Sequence, residues 1–198
     1  MVPPHLASEA FRLFMEIPQS RIDSDIDEGP DGYEPARQRV SRYYDTDDEH
    51  RTAEDCAEHL HAQMIQARAA QKHPAVHEAV AFHLVGIGAR EAAQAAVSVA
   101  WKNGELGKLN AEMDRIREAS GIEDFDDIRD EEKPKEYLDL AERAGGLLQR
   151  IETMMVIDIL KRYRLYEHAE LFEQDEAAFD ARVREGYYVL FPEKRKPQ

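Results

Sequence analysis

With a single cysteine, Cys56, the chain can hold neither a disulfide framework nor a cysteine-rich zinc module. Long apolar runs are also missing. The densest, Met154 to Leu160, falls well short of the roughly 18 residues a membrane-spanning helix needs. The opening Met-Val-Pro-Pro-His has neither a basic n-region nor an apolar h-region, so no signal peptide is expected. Cations are scarce: 26 Lys and Arg stand against 41 Asp and Glu, a net charge of −15 over 198 residues. Phosphate backbones are gripped by Lys and Arg, so this balance argues against duplex nucleic acid and anionic membranes as partners. There is no G-x-S-x-G, P-loop, G-x-G-x-x-G or H-E-x-x-H pattern. These absences point to a cytoplasmic protein without a membrane span.

What is present is enough for a fold. Hydrophobic residues make up 42% of the chain, which separates it from disordered sequences of similar charge. The acids cluster in three groups: Asp23 to Glu34, Asp45 to Glu49, and Glu123 to Glu132. Such runs keep a surface solvated, and they also form a field that suits a basic protein partner. The compact basic feature, Lys194-Arg195-Lys196, is too short to carry nucleic-acid affinity.

The hydrophobic period is helical almost throughout. Ser8 is placed to cap a first helix with Phe11, Phe14 and Met15 on one stripe, ended by Pro18. Residues 19–35 hold Asp, Gly and Pro without period and read as a loop. Thr52 with Asp55 makes a capping box ahead of Cys56, Leu60, Met64 and Ala67. Pro74 suits the first turn of the next helix, and Gly86 and Gly88 let a neighbour approach closely. Asn103-Gly104 and Ser120-Gly121 are stop signals. A heptad-like seam from Leu138 to Tyr166 predicts one long helix over about 135–170. Gly186 stops a last helix, leaving a short extended tail at Tyr187 to Phe191. The expected fold is an all-α bundle of about five to seven helices. Residues 1–50 form an N-terminal helix and acidic loop region packed on the main domain, 51–191 the bundle, and 192–198 a basic tail.

Candidate chemistry is sparse. Asp23, Asp25, Asp27, Asp31 and Glu34 occupy oxygen-ligand positions of an EF-hand frame, the ring of hard ligands calcium takes. Glu28 stands where that loop needs glycine, and Pro30 follows. For a transition metal such as zinc the candidates are His59, His77 and His83. Asp158 is a lone acid in an apolar run; a buried carboxylate needs a partner, and either Arg162 at i+4 or Lys161 at i+3 can supply it. Asp158 and Arg162 are therefore candidate catalytic residues.

Arg68 to His73 and Arg162 to His168 resemble the Arg-x4–6-His signature of the helical HEPN ribonucleases. That resemblance covers one short motif and implies a His acid/base with an Arg steadying phosphate. No coherent catalytic set emerges, and no cofactor is expected outside the Ca or Zn alternatives. The leading expectation is a non-enzymatic acidic interaction protein: an inhibitor or immunity-type partner, an adaptor, or a small subunit. It would bind a protein with a basic surface or a second copy of itself. A metal-dependent helical hydrolase or HEPN-like ribonuclease is the alternative.

Overall fold

The computed structural model describes residues 1–121, 125 and 128–195. Among these residues the chain forms nine α-helices: α1 (Ala7–Glu16), α2 (Gln19–Asp27), α3 (Tyr33–Asp45), α4 (Ala53–Ala70), α5 (Glu78–Ala100), α6 (Gly104–Ser120), α7 (Lys135–Arg162), α8 (Tyr166–Gln174) and α9 (Glu176–Leu190). The all-α bundle with one long helix is the fold. Part of the third acidic cluster (Glu123, Asp124, Asp126 and Asp127) and Lys196 of the basic tail lie outside the described residues.

Local sequence explains some of the helix ends. Thr52 and Asp55 form the expected box: Asp55 N–H donates to Thr52 Oγ1 at 3.1 Å, and Thr52 N–H donates to Asp55 Oδ2 at 3.0 Å. Two donors without intrahelical partners are thereby satisfied. Thr52→Ala should cost about 1 kcal/mol by urea denaturation; a change near zero would mean the box stabilises nothing. Gly121 takes the left-handed conformation that ends α6. Elsewhere the caps differ from expectation. Helix α1 starts at Ala7 without a side-chain cap from Ser8. Helix α5 starts at Glu78, where His77 Nδ1 accepts from Ala79 N–H at 3.1 Å; Pro74 lies in the turn before it.

The stretch 19–35 is not a loop. Pro18 precedes α2, and Ile22 and Ile26 enter the core one turn apart, which outweighs the poor propensity of the aspartates. Helix α9 runs through Gly186 to Leu190, so residues 187–190 are helical; after Phe191 the chain makes a 3-10 turn at Pro192–Lys194 and, among the described residues, no extended segment.

Two cores hold the bundle. The larger joins α1 to α5 with the C-terminal part of α7, α8 and α9 through Phe14, Ile22, Leu60, Met64, Val85, Ile159 and Phe179, among others. The smaller lies between α6 and the first half of α7: Leu106, Leu109, Met113, Leu140 and Ala144. Helix α4 is the most enclosed. From His59 to Ala70 every residue except Arg68 is buried.

Helix α7 packs on α5, α6 and α8 and keeps an outer face in solvent. Val156, Ile159 and Leu160 are buried, but Met154 is 59% exposed and Asp158 is exposed as well. Asp158 is therefore not a buried carboxylate, because the apolar run is enclosed on one side and not all round. Arg162, one of its expected partners, donates to the carbonyl of Ile17. Asp158→Ala should leave stability within about 0.5 kcal/mol of wild type; a loss several times larger would contradict this exposed placement.

Candidate functional site

The candidate calcium frame does not form. On a helix, successive residues turn by about 100°, so Asp23 and Asp27 share a side of α2 and Asp25 points the other way. Arg164 takes the first two, at 2.9 Å and 3.7 Å. Glu34 pairs with Arg37 at 2.8 Å, and Asp31 sits exposed in the short turn between α2 and α3. The histidine set is also dispersed. His77 caps α5, and His83 Nδ1 donates to the Val183 carbonyl at 2.8 Å. His59 faces Glu91 of α5, and on α7 Glu152 meets Arg90 at 3.7 Å. Among the described residues no three His, Cys, Asp or Glu come together as a metal would require.

Asp25 instead belongs to a buried chain. His61 Nε2 is 2.7 Å from Asp25 Oδ2, and His61 Nδ1 is 2.8 Å from the Tyr163 hydroxyl. A carboxylate only accepts, so Nε2–H donates to it. Burial lowers the His61 pKa against the opposing pull of Asp25, which favours the neutral ring. In that form Nδ1 accepts from the tyrosine hydroxyl. The chain ties α2, α4 and the end of α7 together, and His61 and Tyr163 are closed to solvent.

A second polar group lies further along α4. Glu91 of α5 accepts from the Gln63 amide at 2.8 Å and meets the chain's amino terminus at 3.2 Å. His59 Nε2 lies 3.4 Å from Glu91 Oε1, within ion-pair range but without hydrogen-bond alignment. Burial alone would raise the Glu91 pKa. The His59 ring, the Gln63 amide and the terminal charge outweigh it and bring the carboxyl down to about 2. The His59 ring stacks on Tyr43 at 3.7 Å, with Arg51 on the opposite face of that tyrosine at 4.1 Å. Cys56 sits 3.6 Å from the Tyr43 hydroxyl, and burial pushes its thiol up, away from the reactive thiolate.

Among the clefts of the described residues, two hold candidate polar side chains. One, of about 500 Å³, is lined by Gln71, Glu78, Phe82, Glu167, His168 and Arg182, among others. His168 Nε2 lies 3.1 Å from the Gln71 amide nitrogen, and its ring packs on Phe82 at 4.6 Å. Burial, with the charges of Arg182 and Arg68, lowers the His168 pKa to about 4. The two Arg–His spacings do not form pairs here. Arg162 is engaged at Ile17, Arg68 at Gln71, and His73 at Tyr33 and the Ala75 N–H. The other cleft, of about 280 Å³ between α3 and α4, is lined by Arg39, Arg42, Arg51, Tyr43, Thr46, Asp55, Glu58 and His59.

The residues missed from sequence are Glu91, Gln63, Tyr163 and the arginines of α3. The available signal was the i, i+4 pair His59 and Gln63 inside the buried stretch of α4, which implies a polar partner across the interface. Comparison of the chain with protein-family models, curated proteins and solved structures finds no match.

Proposed function

We propose that this is an acidic helical binding protein whose partner is a protein with a basic surface. The observation that carries the reading is at the end of α9. Val189, Leu190 and Phe191 are consecutive and 39%, 44% and 43% exposed. Single exposed apolar residues are ordinary, but three in sequence cost solubility unless a partner covers them. The net charge of −15 supplies the long-range attraction for a cationic partner, and the apolar run supplies the desolvated contact. The interior polar groups support the same reading, because Asp25, His61, Tyr163, Gln63 and Glu91 are engaged with one another.

The test is affinity capture from the native host with wild type and with a Leu190→Ser, Phe191→Ser double variant. These side chains are half in water, so the variant should keep its melting temperature. The reading expects a protein that wild type retains and the variant loses. Equal recovery by both would remove the α9 run from the interface.

The ribonuclease alternative rests on His168 in its cleft with Arg182. With a pKa of about 4 the imidazole is neutral near pH 7, so it can accept a proton but has little protonated form to donate. This weighs against acid/base cleavage at neutral pH. A His168→Ala variant tests it: loss of an RNA-cleaving activity with stability unchanged would favour the enzyme over the binding protein.

A further inference from the structure

The cleft between α3 and α4 gathers positive charge in a chain that has little. Arg39 and Arg42 are three residues apart on one face of α3, and both line it. Among the described residues neither forms a close ion pair, and Arg39 acts on the Glu58 carboxylate only at longer range. Arg51 lies behind them with its side chain 7% exposed. Its guanidinium donates to the carbonyls of Tyr43 (2.8 Å) and Thr46 (2.6 Å) and to Asp48. It therefore contributes charge to the cleft while its donors are largely occupied.

The two acids at the cleft are already engaged. Glu58 receives both arms of the Arg21 guanidinium, at 2.7 Å and 2.6 Å. Asp55 accepts the Thr52 N–H and hydroxyl in the capping box. Counting Arg39, Arg42, Arg51 and Arg21 against Asp55, Glu58 and Asp48 leaves one positive charge over. Two of these guanidiniums have free donor edges.

The floor gives an independent sign of an unmet polar need. His59 lines the cleft with its side chain closed to solvent: its Nε2 faces Glu91 Oε1 at 3.4 Å, while its Nδ1 has no hydrogen-bond partner among the described residues. Buried polar atoms of this kind normally have a protein, water or ligand partner.

We propose that this cleft is a binding site for a small phosphate-type oxyanion, held by the Arg39 and Arg42 guanidiniums over the buried charge of Arg51. Guanidinium forks match the oxygens of a tetrahedral oxyanion in pairs, and a partly enclosed site strengthens each charge-assisted bond. The size of the cleft suits a free ion or the head of a small phosphomonoester; it lies at the lower edge of the usual range for ligand pockets, about 300 Å³.

The test is calorimetric titration of the full chain at low ionic strength with inorganic phosphate and, separately, phenyl phosphate, against chloride at matched ionic strength. Saturable one-to-one binding is expected, weakened at least tenfold in an Arg39→Gln, Arg42→Gln double variant. Phenyl phosphate binding tighter than the free ion identifies an ester as the ligand; equal affinity identifies the ion. Should the double variant fold poorly, Arg42→Gln alone serves, because Arg42 is exposed. No saturable heat with either probe would overturn the proposal, as would affinity unchanged in the variants.

Discussion

Gly186→Ala should be among the most damaging single-methyl changes in this protein, costing about 3 kcal/mol. At 198 residues that is a fall of about 6 to 12 °C in melting temperature. A Cβ at Gly186 would stand 2.0 Å from the carbonyl oxygen of Ala79 and 2.5 Å from His83 Cβ. The first of these is α5 backbone, so relief requires the two helices to separate. Gly86 repeats the device on the other helix, where an added Cβ would meet Val183 Cγ2 at 2.3 Å. The control has the opposite sign. Gly145 and Gly146 lie exposed inside α7, with nothing within 4 Å of an added Cβ. Alanine at either should stabilise by up to about 1 kcal/mol through helix propensity. Gly186→Ala at wild-type stability would mean that α5 and α9 do not pack as described.

The second large effect belongs to Glu91. Its carboxyl titrates at about 2 in the fold, against an ordinary 4.5. A depressed carboxylate binds its proton more weakly folded than unfolded. The stability it contributes is thus complete above pH 4.5 and lost as pH falls toward 2. A shift of that size corresponds to about 3 kcal/mol, and with the group buried little is lost to solvent screening. Glu91→Gln keeps the shape and removes the charge. Urea denaturation should show a gap of about 3 kcal/mol between wild type and variant at pH 7, closing as the buffer is taken from pH 4.5 toward pH 2. A gap that stays constant across that range would show that the charge of Glu91 does not stabilise the fold. His61 and His168 add loss at higher pH. Both are held below the ordinary 6.5, so their contribution is complete above that value and declines as the pH falls, for His168 down to about 4.

What the sequence discloses follows the range of the interaction. The Thr52–Asp55 box is local, and so is the left-handed stop at Gly121; both were legible. So was the close approach at Gly86 and Gly88, since small residues on one face have few other uses. The end of α7 was not. Leu165 N–H reaches the Leu160 carbonyl at 2.8 Å and Arg164 N–H the Lys161 carbonyl at 3.0 Å, the Schellman pattern. The left-handed residue there is Arg164 at φ 57°, where glycine would have announced the stop. The side chain of Arg164 pairs with Asp23 and Asp27, and those partners lie on α2, far along the chain.

The same limit applies to the sites. Gly186 carries the residue type of a helix stop, and only the position of α5 reveals that it is a contact surface. Asp158 stands out in sequence because its neighbours are apolar, but exposure depends on which side α5 and α8 cover. The arginines of α3 lie between two acidic runs, and their shared cleft exists only once α4 is in place. Asp25 lies in an acidic run that resembles a metal loop, and its partner His61 is on another helix. A buried pairing that crosses between helices shows at most one of its halves in the local pattern, as His59 and Gln63 do on α4.

The binding account is tested most directly by the dissociation constant of the protein captured through α9, followed as salt rises from about 50 mM to about 500 mM. Wild type and the Leu190→Ser, Phe191→Ser variant are compared at each salt concentration. The account predicts that affinity for wild type falls steadily with salt, because a chain of net charge −15 attracts a cationic surface. It further predicts that the variant binds at least tenfold more weakly throughout, because the apolar contact is lost. An affinity indifferent to both salt and the double substitution would contradict it.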